Sequence, residues 1–142
     1  MTATSNATER YPAWSADGQS ICYLSDESGE YKLVVRDALG QGAPKSYVLG
    51  EAPAYYYSPA WSPDGTKISY TDNKHNLWIL DLKSGQNTKV DTNPYENPMY
   101  LVTGTWSPDS KWVAYQRDLD SHLTAVFVYS LESGKASQLT DG

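Results

Sequence analysis

The chain has 142 residues, enough for one modest domain, and its 17 Asp plus Glu against 11 Lys plus Arg give a formal net charge of -6. That balance argues against nucleic acid as a partner, since phosphate neutralisation needs a basic face, and no apolar run approaches the roughly 18–20 residues of a membrane span. A hydrophobic fraction of 39% is low, but 12 Tyr and 5 Trp beside a single Phe mark a chain that folds.

In chain order, a polar leader over 1–8 comes first, without the basic and apolar regions of a signal peptide. A cytoplasmic location is therefore expected, or a periplasmic one if a longer parent carries such a signal. The first unit, 9–50, opens on Tyr11-Pro-Ala-Trp14-Ser-Ala-Asp17-Gly18. A second, 51–95, repeats it as Ser58-Pro-Ala-Trp61-Ser-Pro-Asp64-Gly65, and a third, 96–142, as Gly104-Thr-Trp106-Ser-Pro-Asp109-Ser110. The tryptophans are 47 and 45 residues apart, the period of a four-stranded propeller blade.

The register continues past the motif. Four residues after each Asp comes a β-branched residue (Ile21, Ile68, Val113), and two further on a tyrosine (Tyr23, Tyr70, Tyr115). Between them stands a small residue, Cys22, Ser69 or Ala114, which gives the alternation of a strand. Third strands follow at Leu33–Val35, Leu77–Leu80 and Val126–Tyr129, closed by turn residues at Gly40, Gly85 and Gly134. Short fourth strands are expected at Tyr47–Leu49, Lys89–Val90 and Gln138–Leu139. The fold class is thus all-β, three four-stranded antiparallel propeller blades. Asp17-Gly18 and Asp64-Gly65 predict two-residue type I′ hairpin turns, with Asp109-Ser110 either sharing that geometry or using another turn.

The Trp-Ser-x-Asp-Gly/Ser pattern at Trp14, Trp61 and Trp106 resembles the repeat of TolB-type and tricorn-type propellers. Residues 9–142 are similar to the propeller region of tricorn-like proteases, as at Leu77-Trp-Ile-Leu-Asp-Leu-Lys-Ser-Gly85 and Ser121-His-Leu-Thr-Ala-Val-Phe-Val-Tyr-Ser-Leu-Glu-Ser-Gly134. The resemblance implies three consecutive blades from the second propeller of such a serine peptidase. The portions that would hold its nucleophile are absent, so no peptidase residue carries over.

No chemistry-bearing motif occurs: no nucleophile elbow, His-Glu-x-x-His helix, P-loop or dinucleotide fingerprint. No catalytic residue, cofactor or metal site is therefore assigned. Three equivalent copies make Trp14, Asp17, Gly18, Trp61, Asp64, Gly65, Trp106 and Asp109 structural. Cys22, the only cysteine, excludes an intramolecular disulfide and is expected as a packing residue. His75 is expected as a solvated loop residue. Asp118, Asp120, Asp26 and Glu27 have calcium-type oxygens, but a solvated acidic loop is the expectation. The candidate contacts are Tyr55, Tyr56, Tyr95, Tyr100 and His122, which either cap the blade ends or form a rim around the channel for a ligand or peptide.

Three blades do not close a ring, since closed propellers have about 4–8. Two blade faces then need a cover, either a second copy in a six-bladed homodimeric ring or the missing blades of a larger protein. Two functional classes follow. One is a non-catalytic, substrate-gating or protein-interaction segment of a tricorn-like peptidase. The other is a stand-alone binding protein with a ligand site at the channel mouth of the dimer.

Overall fold

The repeat folds three times into the same meander. A computed structural model describes residues 6–51, 54–95 and 103–142, and among them every regular element is a strand. β1 (Glu9–Trp14), β2 (Ser20–Ser25), β3 (Lys32–Asp37) and β4 (Lys45–Tyr47) form the first sheet. β5 (Tyr56–Trp61), β6 (Lys67–Asp72), β7 (Asn76–Asp81) and β8 (Asn87–Thr92) form the second. β9 (Thr105–Trp106), β10 (Trp112–Asp118), β11 (Thr124–Ser130) and β12 (Lys135–Gln138) form the third. Each sheet is antiparallel and takes its strands in sequence order, so no strand is lent to a neighbour. These are three propeller blades.

The hydrophobic core is the pair of junctions between blades. Cys22, Leu24, Leu33 and Leu49 of the first blade meet Tyr56, Ile68, Tyr70, Trp78 and Leu80 of the second. Leu77 and Ile79, on the other face of β7, meet Val113, Tyr115, Phe127 and Tyr129 of the third. A middle blade buries both faces, which is why β7 is a nearly unbroken apolar run instead of an alternating one. Each fully buried Leu, Ile or Val contributes about 1.5–3 kcal/mol relative to exposure. Polar links reinforce the junctions. Gly50 N–H donates to the Tyr70 hydroxyl at 2.8 Å, and Tyr115 donates to Asp91 at 2.7 Å beside an Arg117–Asp91 ion pair at 3.2 Å.

The Asp-Gly turns differ from the expected type I′. Gly18 N–H donates to the Ser15 carbonyl at 3.0 Å, and only Gly18 (φ 69°) enters the left-handed region, not Asp17. Ser15 and Ser20 pair across a four-residue loop, because the Asp17 carboxylate must reach back to Ser15 and forward to Gln19 N–H. Gly65 (φ 74°) and Ser110 (φ 60°) repeat the geometry, so the third copy keeps the turn with a serine in the strained position.

The inner strands carry a feature the pattern did not show. β1 and β5 each bulge, between Arg10 and Ala13 and between Tyr57 and Ala60, with Tyr11 (φ 54°) and Ser58 (φ 52°) left-handed. Pro12 and Pro59 follow those residues, placed where a missing N–H costs no ladder bond.

The fourth strands shift from their expected places. β4 ends at Tyr47, Val48 faces solvent, and Leu49 leaves the sheet to fill the first junction, its carbonyl accepting the Tyr56 hydroxyl at 3.0 Å. β8 runs longer than expected, Asn87–Thr92, and β12 lies earlier, at Lys135–Gln138. Short polar edge strands have no periodicity to fix their ends.

In such a meander the first-to-second and third-to-fourth turns share one end of the blade. The second-to-third loops and the crossovers between blades share the other. The Asp motifs therefore lie at one end, and Tyr55, Tyr56, Tyr95 and His122 at the opposite one.

Candidate functional site

The repeated residues hydrogen-bond within the turns and across the blade junctions. Ser15 Oγ donates to Asp17 Oδ1 at 2.6 Å and accepts Ser20 N–H at 3.0 Å. Ser62 with Asp64, and Ser107 with Asp109, repeat the 2.6 Å bond. The Ser15 hydrogen bond holds the Asp17 carboxyl below its ordinary value, and Ser107 does the same for Asp109. At Asp64 desolvation pushes the other way, but the bonds from Ser62 and Thr66 outweigh it. Ionised carboxylates saturated by local donors are poor general acids.

The tryptophans join blades. Trp61 Nε1 donates to the Ala13 carbonyl at 3.0 Å, and Trp106 Nε1 lies 3.2 Å from the Ala60 carbonyl and 3.0 Å from Ser69 Oγ. Cys22 is fully buried under Trp61, and burial pushes its thiol up to about 12, opposed by the contact with Trp61. A thiol so protonated is no nucleophile at neutral pH.

At the opposite end the loops enclose a cleft of about 580 Å³ between the first two blades. Arg10, Asp26, Glu30, Tyr31, Tyr55 and Asn73 are among its lining residues. Tyr55, 58% exposed, lies with its ring 5.9 Å from Tyr31, and the Asn73 side chain fixes its backbone by accepting Tyr55 N–H at 3.0 Å. The cleft thus joins two tyrosine faces, two carboxylates and one guanidinium, a combination suited to an extended peptide with a basic side chain. Nothing in the repeat pattern singles out Tyr31 and Glu30 as site residues. The shared end of loops and crossovers is the signal that places them beside Tyr55.

The other candidates separate. Tyr56 also lines the cleft, but it is only 4% exposed and packs mainly in the core of the first junction; it begins β5, and strand alternation turns it inward. Tyr95 lies against exposed His122 at the second junction, ring centroids 4.7 Å apart and planes tilted by 43°. Tyr100 lies outside the described residues. His75 is half-buried and left-handed (φ 64°), its N–H donating to the Asp72 carbonyl, so it is less solvated than expected.

The acidic loop residues are held by protein donors. Asp118 accepts from Thr124 and Asn93 at 2.9 and 3.0 Å, and Asp26 from Thr8 N–H at 2.6 Å. Among the described residues no three His, Cys, Asp or Glu side chains gather as metal ligands. Buried Asp72 is densely bonded, accepting from Lys74 N–H, Asn76 N–H, Asn76 Nδ2 and Trp78 Nε1 at 2.9–3.0 Å. It ties the β6–β7 loop shut beneath the rim.

Three comparisons place this geometry among known proteins. The family model described as the TolB beta propeller domain matches residues 1–142. Among curated proteins none matches the chain. Among solved structures, the tricorn protease superposes with a TM-score of 0.77 at 17% identity over 93% of this chain and 13% of that one. TolB from Acinetobacter baumannii gives 0.68 at 20% identity, covering 96% of this chain and 33% of its own. The β-propeller domain of the Trilobed protease from Pyrococcus furiosus gives 0.63 at 19%, covering 95% and 43%. At these identities the likeness is one of fold, and the chain spans less than half of each structure.

Proposed function

The chain belongs to the TolB beta propeller domain family, and from that premise we propose that it acts as a non-catalytic scaffold that binds and guides peptide segments. The observation that carries this reading is the cleft at the loop end, where Tyr31 and Tyr55 stand beside Glu30, Asp26 and Arg10. Aromatic faces hold an extended chain with little loss of side-chain freedom, and the carboxylates favour a lysine or arginine. The wide cleft suits gating or delivery toward a catalytic domain of a larger assembly. Relatives of similar fold include structures named as proteases and peptidases, which fits a peptide-handling role.

A calorimetric titration with a short Gly-Ser peptide carrying one central lysine tests it, against the same peptide carrying glutamate. The lysine peptide binds saturably, the glutamate peptide more weakly. Tyr55→Ala weakens binding by roughly 0.5–1 kcal/mol, the worth of one exposed cation–π contact. Equal binding of both peptides, or binding untouched by Tyr55→Ala, contradicts the reading. So does turnover of peptide substrates by the chain itself.

A further inference from the structure

Both internal junctions are built on one device. The tryptophan that ends a blade's inner strand donates its indole N–H to the backbone carbonyl just before the equivalent tryptophan of the preceding blade: Trp61 to Ala13, Trp106 to Ala60. The device leaves one donor and one acceptor over. Trp14 ends the inner strand of the first blade and is 61% exposed, whereas Trp61 and Trp106 are half-buried. Thr105 precedes Trp106 and faces Ala114 in the register that Ala13 and Ala60 share with Cys22 and Ser69. It is exposed where Ala13 and Ala60 are half-buried.

The surfaces around the two groups follow the same logic. On the first blade, Ile21 and Tyr23 are half-buried at the positions where Ile68 and Tyr70 are fully buried in the second. With Pro12, Arg36 and exposed Leu39 they line an open cleft of about 410 Å³. On the third blade, Val126 and Val128 point away from the core that Phe127 and Tyr129 enter. Val126, Leu123 and Leu139 are exposed, and Gln116 faces solvent beside Val126. An unpaired indole donor and an apolar face at one side of the arc match, at the other, a ladder carbonyl that no described indole reaches and an apolar face.

We propose that the open face of the first blade is an interface for the third blade of a second copy of this chain, with Trp14 Nε1 donating to the partner's Thr105 carbonyl. A two-fold axis along the channel forms both new junctions at once, each a continuation of the two already present inside the chain. Three blades and three blades make six, within the range of closed propellers. The inference stands on the junctions alone and does not depend on peptide binding in the cleft.

Light scattering with size exclusion tests it on the 142-residue chain. The expected mass is twice 15.8 kDa. Trp14→Ala and Gln116→Lys alter exposed side chains on opposite faces, so neither disturbs the cores, and each weakens the dimer roughly tenfold or more. Mixing the two variants restores part of the dimer, because a mixed ring keeps one junction with both native faces. A wild-type monomer, a larger or open-ended assembly, a dimer indifferent to Trp14→Ala, or variants that fail to complement each other overturns the proposal.

Discussion

Trp61 Nε1 reaches across the first junction to the Ala13 carbonyl at 3.0 Å, and the same ring covers Cys22. One side chain therefore supplies both the directional bond and part of the apolar cover between two blades. Trp61→Phe keeps most of the cover and loses the bond. The expected cost is about 1–2 kcal/mol in urea unfolding, the usual worth of a partly buried hydrogen bond. No change in the midpoint would mean that packing alone holds the junction.

Ser110 sits at φ 60°, where its two counterparts are glycines, and its Oγ accepts Asp64 N–H from the neighbouring blade's turn at 3.0 Å. Left-handed serine costs about 1–2 kcal/mol, and a cross-blade hydrogen bond returns a similar amount. Ser110→Ala keeps the strain and loses the bond, so it is expected to destabilise by about 1–2 kcal/mol. Ser110→Gly loses both and should lie within about 1 kcal/mol of wild type. The reverse order in thermal melts would contradict this balance.

Gly104 stands where the other two inner strands carry proline, and a Cβ there would lie 2.7 Å from Val113 Cγ1 and 3.4 Å from Leu77 Cδ1. Both neighbours are fully buried. Gly104→Ala is therefore expected to cost about 1–3 kcal/mol through overpacking. A melting temperature equal to wild type would show that the second junction can open without penalty.

Asp17, Asp64 and Asp109 all have carboxyls held below the ordinary 3.8 in the folded chain. The native state thus favours their charged forms. Their stabilisation is complete above the unfolded value and fades as pH falls through the lower native values. Stability is expected to drop below about pH 4, and Asp64→Asn should flatten part of that drop. Urea melts at neutral and acid pH read the slope, and an identical slope in the variant would contradict the assignment.

The repeat made the blades legible, because a tryptophan, an aspartate and a β-branched–small–Tyr run recur in three copies and mark strand and turn at once. Features present in single copies were hidden. Asp72 closes its loop through Asn76 and Trp78, and neither other blade repeats that set. The three-residue tyrosine run could not reveal that Tyr55 is exposed at the cleft while Tyr56, which also lines it, is buried in the core. That distinction depends on where β5 begins, and the crossover before it has no period. Leu49 likewise took its place from tertiary packing, not from strand pattern.

The exchange rates of the five indole N–H protons, followed by NMR at rising chain concentration, test the central claim most directly. Trp61, Trp106 and Trp78 have acceptors within the chain and are expected to be protected throughout, and exposed Trp112 to exchange freely. Trp14 should pass from free exchange in dilute solution to the protection of Trp61 as the second copy supplies its carbonyl. A Trp14 indole that exchanges like Trp112 at every concentration would contradict a ring closed by two copies.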